Sequence, residues 1–284
     1  MKLSAEEIET YNQIGLVKPS YRLPDNQLNN LRAALDRVLA ENPNQTPDLI
    51  ANPHIPYQER LRLGVRGGGL PFLETAISPD ILDMIEQVLC PDIVLWATTL
   101  FSKPGGKGKE FTWHQDGHYY TIDPLSSCTV WIALDDVNVD NGCMRYIAGS
   151  HKAGLLPHTT EHRENVASAE TADANYFDEA LSRNNVLRSG EMSIHHVNLI
   201  HGSLPNLSPR RRAGFALRYM PATSHYNHHA TFSWQPVVNT EYQSHNVRPL
   251  WLVRGRNRHS QNDFLLGHEG LGELDDFVAS RLAA

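Results

Sequence analysis

Three features are scarce in this chain of 284 residues: cysteine, long apolar runs and positive charge. The three cysteines are odd in number and far apart, which argues against a disulfide framework or a zinc ribbon. No apolar stretch is long enough to span a bilayer, and the first residues lack the apolar core of a signal peptide. A formal net charge of -7 argues against a nucleic-acid partner bound through bulk positive charge. We therefore expect a cytoplasmic protein that binds neither membranes nor nucleic acid.

The first 92 residues show helical patterns. Ser4 begins a capping-box pattern, which is typical of a helix N-terminus, and Gly15 is expected to end that helix. Leucines at helical spacing from Leu28 to Leu39 predict a second helix, and Ser78 followed by proline predicts the start of a third. The stretch 43–70 is rich in Pro, Asn, Arg and Gly, so we interpret it as a loop or lid.

From residue 93 onward the apolar period changes to alternation, which is typical of β-sheet. Five strands are predicted, at 94–101, 127–134, 143–147, 191–196 and 213–220. No amphipathic helices lie between them, which favours an antiparallel sandwich or barrel over a doubly wound sheet. Because no repeat or linker divides the chain, we expect one domain over residues 1–284. Its parts would be a helical region (1–92), a β-rich core (93–222) and a C-terminal extension (223–284).

A candidate metal site begins with His114 and Asp116. In an extended segment their side chains point the same way, so both can bind one ion. A second histidine would complete the two-histidine, one-carboxylate set that leaves positions open on a non-haem Fe(II). His195, His196 and His201 are candidates. The first two are adjacent and face opposite sides, whereas His201 stands at a turn on a strand's rim, where a solvent-accessible site belongs.

The predicted strand at 213–220 has two different faces. One face is apolar and is predicted to pack in the core, while the other carries Arg212, Gly214, Ala216 and Arg218. The two small residues leave room beside the Arg212 guanidinium, which suits bidentate binding of a carboxylate. In the strand at 127–134, Trp131 can line the same cavity, because its neighbours on the other face are apolar.

These residues stand in blocks that resemble the phytanoyl-CoA dioxygenase family of Fe(II)- and 2-oxoglutarate-dependent oxygenases, over nearly the whole chain. The blocks are, in order, Trp113-His114-Gln115-Asp116, Trp131 to Asp136 with Asn141 to Met144, Gly149 to Lys152, His201-Gly202-Ser203 with Asn206, and Arg212 with Arg218-Tyr219. The resemblance implies a mainly β (α+β) fold: a double-stranded β-helix, or cupin-like jelly roll, with flanking N-terminal helices. One departure is Ala148, where proline is more usual in the family.

The resemblance also implies the site residues. His114, Asp116 and His201 would hold the Fe(II) ion as catalytic metal ligands.

A second group would bind the cosubstrate. Arg212 would pair with the far carboxylate of 2-oxoglutarate, helped by Ser203 and Trp131, and Thr99 is a further candidate for a cosubstrate contact.

The substrate residues are predicted from the faces of the strands. His118, Arg218 and His196 are candidates, and their character indicates a small polar or anionic molecule. Each of them could also have a structural role, in an ion pair or in the core.

The implied reaction uses Fe(II), 2-oxoglutarate and O2 to hydroxylate a C–H bond of a small metabolite, with release of succinate and CO2. Asp116 favours hydroxylation over halogenation, because halogenating relatives have a small residue at that position. The alternatives are desaturation, cyclisation or halogenation at the same iron centre, or a non-catalytic metal-binding barrel protein. A zinc hydrolase on a cupin-like barrel is a further alternative. The stretches 43–69 and 155–188 are candidate covers of the site.

Overall fold

The computed structural model describes residues 1–160, 163–168, 170–230 and 245–268, together with residues 271, 272, 274 and 276. Part of the predicted C-terminal extension, including residues 231–244, lies outside this description. The helices of the described residues are α1 (Ala5–Ile14), α2 (Asp25–Glu41), α3 (Leu70–Ala76) and α4 (Pro79–Val88). The strands are β1 (Leu16–Val17), β2 (Ile50–Ala51), β3 (Ile93–Lys103), β4 (Phe111–His114), β5 (Ile122–Asp123), β6 (Cys128–Ala133), β7 (Met144–Tyr146), β8 (His158–Thr160), β9 (Glu170–Ala172), β10 (Arg183–Asn185), β11 (Met192–His196), β12 (His201–Ser203), β13 (Arg212–Pro221), β14 (His225–Tyr226) and β15 (Trp251–Arg254).

The helices predicted from the sequence are confirmed as α1, α2 and α4. At the start of α1 the Ser4 hydroxyl accepts from the Glu7 amide and the Glu7 carboxylate accepts from the Ser4 amide, which completes a capping box. Gly15 ends α1 with φ at 81°, a left-handed conformation that glycine adopts easily. Helix α3 was not predicted, because its length of 7 residues is too short to show a helical period.

Two sheets form the body of the fold. The larger has 7 antiparallel strands in the order β1-β11-β6-β13-β3-β15, with β2 also paired to β3, and the smaller has the order β10-β7-β12-β4. Strands distant in sequence are thus neighbours, as in a jelly roll, and the predicted fold class is confirmed. The five predicted strands correspond to β3, β6, β7, β11 and β13.

The larger sheet extends beyond the predicted core range of 93–222. Strands β1, β2 and β15 come from the flanking regions and pair at or beside its edges. The first two have only two residues each, which is too short to show alternation in the sequence. The division of the chain into one domain with three parts stays a prediction.

The main apolar core lies between the helices and the outer face of the larger sheet. From β13 it receives Ala213, Phe215, Leu217 and Tyr219, each fully buried, as the strand's alternation predicted. Leucines of α2 pack against them in the same cluster. Because the helices cover this face, the other face of β13 is left to line the space between the two sheets. None of the described helices is both long and apolar enough to cross a membrane.

The stretch 43–69 is packed more tightly than the interpretation as a lid implied. Ile50, Ile55, Leu63 and Val65 are almost completely buried and belong to the main core. Ile50 lies opposite Leu100 where β2 pairs with β3. The segment therefore stabilises the outer face of the larger sheet, and the many Pro, Gly and Asn residues shape a fixed loop.

Replacing Phe215 by Ala tests the core. Phe215 is fully buried and its ring meets that of Phe72 edge-on, with centroids 5.2 Å apart. We expect Phe215→Ala to lower the free energy of unfolding by about 3–5 kcal/mol, measured by urea denaturation. Leu207→Ala is the control, since this leucine is 79% exposed, and its change should stay within about 0.5 kcal/mol. Equal effects of the two substitutions would contradict this packing.

Candidate metal centre

The structure brings the three predicted metal ligands together. His114 ends β4, Asp116 begins the 3-10 turn Asp116–Tyr119, and His201 begins β12 directly opposite His114. One donor atom from each side chain lies within 4.8 Å of the others. Bonds from such nitrogen and oxygen atoms to a metal are about 2.0–2.2 Å long, so small side-chain movements would let all three bind one ion. Their assignment as ligands is a proposal that this geometry supports.

The backbone fixes which nitrogen each imidazole offers. Nδ1 of His114 lies 2.7 Å from the carbonyl oxygen of Thr112, and Nδ1 of His201 lies 2.9 Å from that of Leu199. A carbonyl can only accept, so both Nδ1 atoms carry the hydrogen and both Nε2 atoms keep a free lone pair. Burial lowers the pKa of His114 and holds that of His201 well below its ordinary value. Neutral imidazoles with fixed tautomers are what a metal ion requires.

Asp116 is held as a carboxylate. It is 6% exposed, and its Oδ2 accepts a 3.0 Å hydrogen bond from the Thr129 hydroxyl. Burial alone would raise the pKa of Asp116, but the neighbouring His195, Arg218 and His201 lower it well below the ordinary value. A negative oxygen therefore stands beside the two neutral imidazoles, and the donor set fits a divalent cation such as Fe(II).

A third histidine, His195, lies at the centre, and its neighbour His196 does not. His195 is 2% exposed, and its ring centroid lies 4.9 Å from that of His201. His196 was predicted as a substrate residue, but it points to the opposite side of β11, against Tyr11 and His151. The sequence showed that the two histidines face opposite ways, but not which face the helices cover. Nε2 of His195 lies 3.6 Å from Oδ2 of Asp116, and its Nδ1 has no hydrogen-bond partner among the described residues.

The predicted cosubstrate residues lie on the inner face of the sheets. Arg212 is 3% exposed and donates from Nε and Nη2 to the carbonyl oxygen of Gly142, at 3.1 and 2.5 Å. Its guanidinium carbon lies 5.4 Å from the centroid of the Trp131 ring. Gly214 makes room for that ring, because a Cβ there would lie 2.0 Å from Trp131 Cζ2. Ser203, also buried, is on β12 two residues after His201.

Lys103 is a buried cation that sequence reasoning missed. It lies opposite Arg212 where β3 pairs with β13, and Nζ donates to Ser203 Oγ at 2.8 Å, Ser203 O at 3.3 Å and Leu204 O at 2.5 Å. Burial, and then Arg212, lower the pKa of Lys103 well below its ordinary value. The alternation of β3 could have revealed it, two residues beyond Phe101, but lysine is rarely buried. Among the described residues no carboxylate pairs with either cation.

Arg218 and Thr99 lie in contact. Arg218 donates from Nε to Tyr120 Oη at 2.6 Å and from Nη1 to Thr99 Oγ1 at 2.5 Å. Burial alone would lower the pKa of Arg218, but Tyr120 and Asp116 raise it above the ordinary value, so the guanidinium stays charged. Thr99 was predicted to contact the cosubstrate. Its hydroxyl oxygen accepts a hydrogen bond from Arg218, and the cosubstrate contact stays a prediction.

His118 lies in the same turn as Asp116. Residues of the stretch 155–188 pack over His118. Its ring stacks on that of His158, with centroids 4.1 Å apart, and its Nε2 lies 3.4 Å from a carboxylate oxygen of Glu170. In the same turn, Tyr119 shares a 2.8 Å hydrogen bond with Ser168. These contacts support the prediction that 155–188 covers the centre, and they give His118 a partner in that cover.

The neighbouring family blocks form supporting structure. Arg211 does not share the orientation of Arg212: its guanidinium pairs with Asp135 at 2.9 Å and with Asp36 at 2.8 Å on the outside. Asn141 donates to the carbonyl oxygen of Asp136 at 2.7 Å within a turn. The arginine run 210–212 therefore contains one inward side chain, and the other two lie outside.

Known proteins match this chain in sequence. The model of the family described as Phytanoyl-CoA dioxygenase (PhyH) matches residues 11–214. The peroxisomal phytanoyl-CoA dioxygenase of Bos taurus is 29% identical over 192 residues, which are 63% of this chain and 57% of that protein. A probable alpha-ketoglutarate-dependent hypophosphite dioxygenase of Stutzerimonas stutzeri is 32% identical over 152 residues, 51% of each chain. This chain thus spans little more than half of the length of these relatives.

Solved structures match the fold. EctD from S. alaskensis, solved with 2-oxoglutarate and 5-hydroxyectoine, superposes with a TM-score of 0.65 at 18% identity, covering 93% of this chain and 86% of that one. The apo form of the non-heme monooxygenase ThoJ gives a TM-score of 0.65 at 24% identity and covers 96% of both chains.

A jelly roll with two histidines and a carboxylate between its sheets is the architecture of the cupin-like non-haem iron oxygenases. Within that class, this chain belongs to the phytanoyl-CoA dioxygenase family of Fe(II)- and 2-oxoglutarate-dependent oxygenases.

Metal binding tests the triad. We expect Ni(II), which mimics Fe(II) without oxygen chemistry, to raise the melting temperature of the protein. A Ni(II) concentration of 100 times the dissociation constant would raise the free energy of unfolding by about 2.7 kcal/mol. His201→Ala and Asp116→Asn should abolish or strongly reduce the shift, whatever their own melting temperatures. His196→Ala is the matched control and should keep it, since this histidine faces away. An unchanged shift in both His201→Ala and Asp116→Asn would refute the assignment.

Proposed function

We propose that this protein is an Fe(II)- and 2-oxoglutarate-dependent dioxygenase that hydroxylates a C–H bond of a small polar molecule. One observation carries the proposal. Two imidazoles with free Nε2 atoms, one half-buried and one buried, converge with one carboxylate within 4.8 Å, and the buried Arg212 has no carboxylate partner among the described residues. A metal ion and a dicarboxylic 2-oxo acid together match these two groups.

The chain's own residues would orient the reactants. Bound Fe(II), 2-oxoglutarate and O2 would supply the oxidising chemistry, with succinate and CO2 as coproducts. His114 and His201 present neutral Nε2 atoms to the ion, and the Thr129 hydroxyl holds one oxygen of Asp116, so the other can turn to the metal. The buried ring of Trp131 forms an apolar wall beside the centre and excludes water from it.

Lys103 and Ser203 extend the proposed carboxylate site. Three acceptors around Nζ use all three N–H groups of a charged ammonium. Because Ser203 Oγ accepts from Lys103, the serine's own hydrogen must be donated elsewhere, and the far carboxylate of 2-oxoglutarate is the proposed acceptor. Arg212 still has its Nη1 group without a hydrogen bond among the described residues, so it can add a second donor to the same carboxylate.

Other outcomes on the same iron centre are the alternative. Solved proteins of this fold include SnoK, described as a carbocyclase, and SnoN, described as an epimerase. Product mass separates the possibilities, because hydroxylation adds an oxygen atom and desaturation or ring closure removes hydrogen.

We also propose a cytoplasmic location. The relatives from Bos taurus and Homo sapiens are named peroxisomal, so cell fractionation is the appropriate test.

Conversion of 2-oxoglutarate into succinate tests the activity. Purified protein with Fe(II) and ascorbate should form succinate in the presence of a substrate panel, and His114→Ala should reduce the rate at least about a thousandfold. Arg212→Met should raise the KM for 2-oxoglutarate about 10–100-fold, because a charged hydrogen bond is worth about 1.5–3 kcal/mol. The exposed Arg210→Met is its control and should leave KM unchanged. Unaltered turnover in His114→Ala would refute the proposal.

A double-substitution cycle tests the coupling of Lys103 to Ser203. We expect Lys103→Met and Ser203→Ala each to weaken binding of the unreactive analogue N-oxalylglycine to the Ni(II)-loaded protein about tenfold, measured by calorimetry. The double variant should bind no more weakly than either single variant, because the lysine acts through the serine hydroxyl. Additive losses would contradict this coupling. The exposed Lys107→Met serves as the control.

A further inference from the structure

Arg218 is a cation beside the metal centre that neither the triad nor the carboxylate site uses. It lies on the inner face of β13, between Ala97 of β3 and Thr129 of β6. The Thr129 hydroxyl donates a hydrogen bond to Asp116. Arg218 is therefore paired across the sheet with a residue that contacts the proposed metal ligand Asp116. The residue is half-buried, so part of it is accessible.

The charge of Arg218 has no direct counter-ion. Its two hydrogen-bond partners, Tyr120 and Thr99, are neutral hydroxyl groups. Within the described part of the chain Arg218 forms no ion pair, and its Nη2 group has no hydrogen-bond partner. Asp116 influences it only at longer range, and that carboxylate is proposed to bind the metal. Even partial burial of a charge without a counter-ion costs free energy, so a binding role explains Arg218 better than a structural one.

Arg248 is a second cation of the same kind. It stands in the segment before β15, with its guanidinium carbon 5.7 Å from the Trp96 ring centroid and 5.8 Å from that of Tyr226. Its Nε is buried without a hydrogen bond, and among the described residues no carboxylate pairs with it. Tyr120 links the two arginines, because its hydroxyl accepts from Arg218 while its ring lies 4.4 Å from that of Trp96.

The balance of charge at the loaded centre favours an anion. This step rests on the proposed function: Fe(II) and doubly charged 2-oxoglutarate would cancel, as would Asp116 and Arg212, while Lys103 adds one positive charge on the cosubstrate side. Arg218 and Arg248 then remain positive beside an aromatic cluster of Trp96, Tyr120 and Tyr226. A neutral or cationic substrate would leave both charges uncompensated in a poorly hydrated space, whereas an anionic one would neutralise them.

We propose that the substrate carries a carboxylate, phosphate or phosphonate group, which Arg218 binds through Nη2 with Arg248 as a second cation. Arg218 is thus the residue that selects the substrate's charge, and Arg212 binds the cosubstrate from the same strand face.

A panel of ligands with one chain length tests the charge selection. Protein loaded with Ni(II) and N-oxalylglycine is titrated with hexanoate, hexylphosphonate, hexan-1-ol and hexylamine, and affinity is measured by calorimetry and by thermal shift. We expect at least one anion to bind at least about tenfold more tightly than the alcohol and the amine. The carboxylate and phosphonate arms show which head group is preferred. Equal binding of all four, or binding of neither anion at about 10 mM, would overturn the proposal.

Substitutions test whether Arg218 is the residue that selects anionic ligands. Arg218→Met should remove the preference for anions over the alcohol, and Arg218→Lys should restore part of it, because the charge returns without the planar donor set. Arg254→Met is the matched control and should keep the full preference, since Arg254 is already paired with Asp83 and Glu86 at 2.8 and 2.7 Å. An anion preference that survives in Arg218→Met would overturn the proposal.

The same titrations separate this proposal from the proposed function. They are repeated without Ni(II) and N-oxalylglycine. If the wild-type protein does not bind the metal or the analogue but still prefers anions through Arg218, the oxygenase proposal fails and the anion site stands. If both bind normally and no anion preference appears, the anion site fails and the oxygenase proposal stands.

Discussion

The pairing of β4 with β12 is the constraint on which the metal centre depends. It places His114 opposite His201, although the two are far apart in the chain. Each ring is then oriented by a hydrogen bond from Nδ1 to the backbone carbonyl two residues earlier. The strand therefore fixes the direction of the free lone pair as well as the position of the ring, and no other side chain is needed to set the tautomer.

The larger sheet separates two environments. Its outer face is covered by the helices and carries the fully buried apolar side chains of β13, which stabilise the fold. Its inner face carries Arg212 at the start of β13 and Arg218 six residues further along, with Ala216 between them. The small residues Gly214 and Ala216 lie between the two arginines, and Gly214 leaves room for the Trp131 ring. The two arginines mark the proposed cosubstrate and substrate sides of the iron. One strand thus serves both stability and recognition.

Much of this arrangement could be predicted from the sequence, because alternation is a local property. The faces of β13 and β6 are as predicted, and so are the capping box of α1 and the closeness of His114 to Asp116. The misses share a physical cause. The two-residue strands β1 and β2 and the seven-residue helix α3 are too short to show a period. Lys103 was overlooked because lysine is rarely buried, although the alternation of β3 continues to it.

By itself, the sequence determined the class of fold, the family and the residue types at the centre, since these follow from periodicity and from blocks of neighbouring residues. Only the tertiary structure decided between His195 and His196, because adjacent residues on a strand face opposite sides and the packing of α1 selects which side is covered. It also brought Lys103 to Ser203, and Arg218 and Arg248 to one aromatic cluster. Such contacts join residues distant in the chain, so they depend on how the two sheets and their connecting segments pack together.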